Sequence, residues 1–160
     1  MSAIRNSAKA LVYQNGRLLL NSHLTSTGER YYDLPGGGQH PYETMEEAVI
    51  REVLEETGLT VEPVRFAALA EEIFTDEGMR ARYPQYCHRC MHIFLVKVLP
   101  GAAQACAELD FQQTGSLWVT AEEAENLPLV PLQLRGRVRE LLNAHAPVYL
   151  GSLRRDEVCM

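Results

Sequence analysis

Residues 36–58 constrain this chain more than any other segment: three consecutive glycines lead into a helix whose two ends are both marked. Thr44 and Glu47 stand three apart. At that spacing the hydroxyl and the carboxylate can satisfy each other's free backbone N–H groups at a helix start. Met45, Val49 and Val53 recur every four residues with Ala48 beside them, which makes one apolar stripe. Gly58 stands where a left-handed closing residue is wanted. The spacing predicts a helix over 45–57, entered from a glycine loop.

Strand material surrounds this unit. Residues 8–13 and 17–20 are apolar-rich and separated by Asn15-Gly16, the pair that best tolerates the positive φ angles of a two-residue hairpin. Residues 23–30 read as polar loop. Residues 31–34 form a short aromatic strand stopped by Pro35. Residues 60–74 read as strand broken near Pro63, residues 75–86 as polar loop, and residues 87–99 as a long, mostly buried strand. Residues 100–115 read as a variable connection, 117–119 as strand, 121–125 as a short acidic helix and 132–143 as an amphipathic helix. A strand and a tail close the chain over 148–160. Strands and helices mix without a regular βαβ alternation, so the pattern predicts an α/β fold with a mixed sheet flanked by helices. With 160 residues and neither repeats nor a linker, one domain spanning 1–160 is expected.

Charge narrows the function classes. The net charge is −6 and the only lysines are Lys9 and Lys97, so the chain lacks the positive footprint that duplex nucleic acid requires. A small anionic substrate stays open, because a bound divalent cation can reverse the local field. The four cysteines (Cys87, Cys90, Cys106 and Cys159) are too few for a disulfide scaffold in a chain this long and read as reduced thiols. No apolar run approaches the ~20 residues of a membrane span, and the first residues lack the core of a signal peptide. The expected location is cytoplasmic.

The chemistry concentrates on Glu52, Glu55 and Glu56. On a helix these positions share one side within about one turn. Like charges so placed repel by roughly 0.2–0.5 kcal/mol per pair. Acidic groups near a helix C-terminus also oppose its dipole by about 0.3–1 kcal/mol each when exposed. Arg51 can recover part of this by pairing with Glu55. A bound Mg²⁺ or Mn²⁺ would remove the repulsion, since hard cations take carboxylate oxygens. The plain alternative is a solvated acidic face. Gly36, Gly37 and Gly38 directly ahead of the helix shift the balance, because glycines let backbone N–H groups approach anionic oxygens closely. A carboxylate cluster and a phosphate-compatible loop thus share one short unit.

These residues resemble the Nudix box. Its pattern is Gly, five residues, Glu, seven residues, then Arg-Glu-aliphatic-any-Glu-Glu-any-Gly-aliphatic. The chain reads Gly37, Glu43, then Arg51-Glu52-Val53-Leu54-Glu55-Glu56-Thr57-Gly58-Leu59. Seven fixed identities would coincide by chance about once in 10⁸ starting positions at ordinary residue frequencies. Outside the box the likeness is looser. It covers Leu34-Pro35, the Leu117-Trp118-Val119 strand with the acidic helix after it, and Leu127-Pro128-Leu129. The resemblance implies an α/β/α sandwich with a mixed sheet and a loop–helix–loop site for metal and diphosphate. It implies Glu52, Glu55 and Glu56 as metal ligands, Arg51 orienting a glutamate, Gly36, Gly37 and Gly38 shaping the substrate loop, and Glu43 supporting the site. It implies Mg²⁺- or Mn²⁺-dependent hydrolysis of a phosphoanhydride in a nucleoside diphosphate joined to another group. Catalysis would fall to Glu55, with Glu52 and Arg51 beside it. Asp76 and Glu77 are the alternative bases outside the box. A silent nucleotide-binding module of the same fold is the rival function, and a homodimer is an alternative to a monomer.

Other residues invite weaker readings. The run Cys87-His88-Arg89-Cys90-Met91-His92 suggests zinc, but inside a strand Cys87 and Cys90 would face apart and no second pair completes a tetrahedral set. His88 or His92 could instead face the cleft. Tyr31, Tyr32, Phe74, Tyr83 and Tyr86 could stack on a base, and Arg80 and Arg82 could meet a phosphate. Packing explains each of them as well. The leucines over 132–142 read as core.

Overall fold

A computed structural model of the chain describes residues 3–101 and 113–156. The chain opens on a hairpin, β1 (Arg5–Gln14) and β2 (Arg17–Leu24). Asn15 (φ 53°) and Gly16 (φ 75°) make its turn, the left-handed pair that the Asn-Gly signal calls for. β3 (Arg30–Asp33) runs antiparallel to β2, and β4 (Gly36–Gly38) antiparallel to the first half of β1. Helix α1 (Met45–Thr57) comes next, with the capping box of Thr44 and Glu47 in place and Gly58 at φ 73° closing it. Then come β5 (Val61–Phe74), α2 (Glu77–Arg82), β6 (His88–Val98), β7 (Gln113–Thr120), α3 (Ala121–Glu125), β8 (Leu129–Val130), α4 (Val138–Asn143) and β9 (Val148–Arg155).

The strands form one mixed, curled sheet in the order β8-β3-β2-β1-β6-β5-β9, with β4 added beside β1 and β7 beside β2. β1 pairs parallel with β6, and β5 parallel with β9, while β5 and β6 are antiparallel. Each face carries its own core. On one, Ala48, Val49 and Val53 of α1 pack on Ala8, Ala10, Val12, Phe94 and Val96. On the other, Ala124 of α3, Leu134, and Val138 and Leu141 of α4 pack on Leu11, Leu18, Ala68 and Ile93. The result is the expected α/β/α layering. Val49 and Val53 are fully buried, and each such side chain contributes roughly 1.5–3 kcal/mol. Val53→Asp would detach α1 and with it the acidic turn. Among the described residues no helix is long and apolar enough to cross a membrane.

The structure corrects several expectations. The glycines at 36–38 are not a free loop but a strand hydrogen-bonded to β1. Residues 23–30 are loop only over their middle, because β2 and β3 extend into both ends. Residues 75–86 contain helix α2 and a 3₁₀ turn, Pro84–Tyr86. Neither buries a residue, so no apolar stripe announces them. The helix expected over 132–143 is broken into a 3₁₀ turn, Leu132–Leu134, and α4. Arg135 turns extended there and Gly136 takes φ 71°. Leu134, Val138 and Leu141 still reach one core, so the apolar spacing survives the break. Pro63 does not interrupt β5, which passes it with a shift of register between Pro63 and Arg65. Most of the 100–115 connection and the end of the tail lie outside the described residues.

Candidate active site

Helix α1 lays its last two turns along β4, and the three acidic side chains expected to share one side reach different depths. Glu56 is 3% exposed. Its Oε2 accepts from Asn21 Nδ2 at 2.6 Å and from the Gly36 N–H at 2.9 Å. Glu52 lies half-buried against Gly37: a Cβ on that glycine would stand 2.5 Å from Glu52 Oε2. Gly37 is therefore required for room rather than for its backbone angle. Glu55 is the open one, with 41% of its side chain exposed. Gly36 combines both demands, since its φ is 137° and a Cβ there would collide with the backbone of Ala8 and Lys9.

Arg51 is the hub. Its Nε and Nη2 donate to the two oxygens of Glu43 at 2.7 and 2.9 Å. Its Nη1 donates to Glu52 at 2.8 Å and to Glu55 at 3.3 Å, and Nη2 also reaches the Gly38 carbonyl at 3.0 Å. The fork geometry of a guanidinium makes this possible; an ammonium could not hold the same set in one plane. Hydrogen bonding from Arg51 holds the Glu43 carboxyl at about 2, well below the ordinary 4.5, with the His40 N–H adding to it. Arg51, bonded to Glu43 and Glu52, is pushed up in turn.

A second set of contacts fixes the floor. Lys9 Nζ donates to Gly36 O at 2.8 Å, Asp33 Oδ2 at 3.1 Å and Leu34 O at 3.2 Å, which uses all three of its protons. Burial alone would lower the Lys9 ammonium; Asp33 and then Glu56 outweigh it, and the pKa rises. Burial alone would raise Asp33, but Lys9 and a hydrogen bond from His23 hold it below its ordinary value. His23, hydrogen-bonded to Asp33 at 2.8 Å, stacks on Tyr31 at 4.9 Å.

The structure thus brings Gly36, Gly37, Gly38, Glu43, Arg51, Glu52, Glu55 and Glu56 together. The Gly36 N–H is occupied by Glu56 rather than open to a phosphate. Asp76 lies elsewhere in role: its Oδ1 caps α2 by accepting the Met79 N–H at 2.6 Å, and Glu77 is exposed in the first turn of that helix. Phe74 is buried between the guanidiniums of Arg89 and Arg155, at 5.2 and 5.5 Å, which makes it packing rather than a base platform. Tyr86 lies under Arg5, and Arg80 Nε bonds the Phe74 carbonyl at 2.7 Å. Sequence alone does not single out Lys9, Asn21 or Asp33. Lys9 carries a usable signal as one of only two lysines, set in an apolar strand. Asn21 and Asp33 carry none, since their partners come from distant segments.

The hard carboxylate oxygens of Glu52 and Glu55, both bonded to Arg51, and of Glu56, buried on Asn21 and the Gly36 N–H, are of the donor type that suits a divalent cation of the Mg²⁺ class. A family model described as the NUDIX domain matches residues 3–141. Solved structures share the fold. One is a NUDIX hydrolase from Nitrosomonas europaea (TM-score 0.68, 19% identity, 88% of each chain covered). Another is a MutT protein from Bacillus halodurans (TM-score 0.67, 20% identity, 94% of this chain and 90% of that one). A third is an ADP-ribose pyrophosphatase from Streptococcus suis (TM-score 0.57, 19% identity, 95% and 98%).

Proposed function

Because the chain belongs to the Nudix hydrolase family, we propose that it hydrolyses the phosphoanhydride of a nucleoside diphosphate joined to a further group, in a Mg²⁺- or Mn²⁺-dependent reaction. The observation that carries this reading is the set of three carboxylates on one turn of α1, two of them, Glu52 and Glu55, tied to Arg51 and the third, Glu56, bonded to the Gly36 N–H of β4. A pyrophosphate resists water because its negative oxygens repel a nucleophile. Glu52, Glu55 and Glu56 would hold the cation, which when bound would supply the neutralising charge and polarise phosphorus.

The chain's own residues do the rest. Glu55, the exposed member, takes the proton of the attacking water. Arg51 holds Glu52 and Glu55 in place and fixes Glu43 behind them. Glu56, anchored to Asn21 and Gly36, keeps the helix end registered on β4. The substrate class comprises nucleoside triphosphates, nucleotide sugars and dinucleotides. Among solved relatives, one is an ADP-ribose pyrophosphatase and another a MutT protein.

The retained box glutamates count against a silent binding module. The test is turnover of a nucleotide panel with Mg²⁺ for the wild type, Glu55→Gln and Glu56→Gln. Loss of product in the variants on the best substrate is expected. Unchanged turnover in both eliminates the reading, and the panel itself names the leaving group.

A further inference from the structure

A second group of metal-ligating side chains, of different chemistry from the box, lies on the sheet itself. The antiparallel register of β5 and β6 sets Glu71 opposite Cys90, and His88 stands two residues before Cys90 on the same face of β6. Glu71 Oε, His88 Nε2 and Cys90 Sγ all lie within 4.8 Å of one another. The spacing of Cys87 and Cys90 argues against zinc, because within one strand the two cannot face the same way. Cys87 in fact sits just before the strand and stays out of any such set for another reason, because its thiol is taken up on the Tyr83 carbonyl at 3.3 Å. The set that forms is a different one, and its third member comes from the neighbouring strand.

We propose that Glu71, His88 and Cys90 bind a borderline-soft divalent cation of the Zn²⁺ class. One thiolate, one imidazole and one carboxylate make three protein ligands, which leaves the fourth tetrahedral position to water. Zn–N and Zn–O bonds of ~2.0 Å and a Zn–S bond of ~2.3 Å at tetrahedral angles put neighbouring ligand atoms roughly 3.3–3.5 Å apart. The present atoms, all within 4.8 Å of one another, stand close to that spacing. His88 Nε2 and Glu71 Oε1, now hydrogen-bonded at 2.7 Å, separate slightly to admit the ion. Cys90 gives up its thiol proton to solvent, and His88 offers a neutral nitrogen, losing to solvent any proton carried there. A sulfur and nitrogen donor set selects against Mg²⁺, which prefers oxygen, so this centre does not duplicate the box.

The remaining oxygen of Glu71 is already oriented. Ser152 Oγ donates to Glu71 Oε2. That leaves Tyr149 to donate its own proton to Ser152 Oγ, at 2.7 Å. Such an outer partner fixes a ligating carboxylate for a metal. Glu71 and His88 keep 28% and 33% of their side chains exposed, so an ion can enter from solvent.

Cobalt(II) titration of the chelator-treated full chain tests this. One equivalent should produce a thiolate-to-cobalt charge-transfer band that one equivalent of Zn²⁺ bleaches. Cys90→Ser should abolish the band. His88→Ala and Glu71→Gln should weaken cobalt binding more than tenfold, and Ser152→Ala by about tenfold. Glu55→Gln and Glu56→Gln should leave the band intact, which separates this centre from the box and from the proposed hydrolysis. Absence of the band, or its survival in Cys90→Ser, overturns the proposal. If Cys90→Ser does not fold by circular dichroism, unchanged cobalt affinity in folded His88→Ala overturns it instead.

Discussion

On α1 the acidic residues stand three and four apart and share a side, whereas on β5 Glu71 and Glu72 are neighbours and part to opposite faces. The difference arises from the two periodicities of the backbone. Glu71 meets His88 and Ser152. Glu72, fully buried on the other face, accepts two bonds from Arg89, the shorter 2.6 Å, and one from Arg155 at 3.4 Å. Two guanidiniums thus close over one carboxylate. At the box the ratio is reversed, for Glu43, Glu52 and Glu55 all share Arg51. A buried carboxylate matched by arginines is part of the fold's support. A crowd of carboxylates with one arginine leaves negative charge unmatched, and the proposed cation would complete it.

If that contrast is right, activity and stability should respond oppositely at the two places. Glu55→Gln should lower kcat by about 10²–10⁴-fold, the usual worth of a positioned base, while leaving the melting temperature unchanged or slightly higher because one repulsion of roughly 0.2–0.5 kcal/mol is relieved. A variant that melts much earlier than wild type would mean the box turn is structural. Glu72→Ala should do the reverse. It takes from the partly buried Arg89 and Arg155 the carboxylate they share, and removing one partner of a buried pair costs about 3–5 kcal/mol. Urea unfolding would measure this, and a loss under about 1 kcal/mol would contradict the assignment of Glu72 to the fold's support.

Gly37→Ala lies between these extremes. The nearest atoms to the added methyl group all belong to the end of the Glu52 side chain, which can swing aside, so stability should change by less than about 1 kcal/mol. Glu52 would then be displaced by about an ångström, and misplacement on that scale costs roughly 10²-fold in rate. A fully active Gly37→Ala would show that the position of Glu52 is unimportant.

Local signals account for the parts of the fold that were legible in the sequence. The capping pair Thr44 and Glu47, the stripe of Val49 and Val53 and the closing Gly58 act within a few residues of one another, and α1 has the bounds they mark. Asn15-Gly16 does the same for the first hairpin. Helix α2 is invisible in the sequence because it buries nothing and is held by one cap, Asp76. The partnership of Glu56 with Asn21 spans 35 residues, and that of Glu72 with Arg155 spans 83. Neither leaves a periodic trace. The cluster of Glu71, His88 and Cys90 is hidden for the same reason, because it depends on which residue of β5 falls opposite Cys90. Register is set by packing and bulges along both strands, not by the spacing of cysteines.

The smallest of these effects concerns pH and asks how firmly Arg51 holds the box. Glu43 titrates at about 2 in the folded chain, against an ordinary 4.5, chiefly because Arg51 donates to it. A carboxyl depressed in the folded state stabilises the fold above its unfolded pKa, and that contribution is lost as pH falls toward the folded value. The stability gained from Glu43 should therefore be complete above about pH 5 and decline from there toward pH 2. Other carboxylates titrate over the same range, so the informative quantity is the difference in urea midpoint between wild type and Glu43→Gln, in which they cancel. That difference should be flat from about pH 5 to 7 and shrink on acidification below about pH 4.5. A difference that stays constant down to about pH 3 would mean that Arg51 does not grip Glu43 in solution, and the hub would then be no firmer than an exposed ion pair.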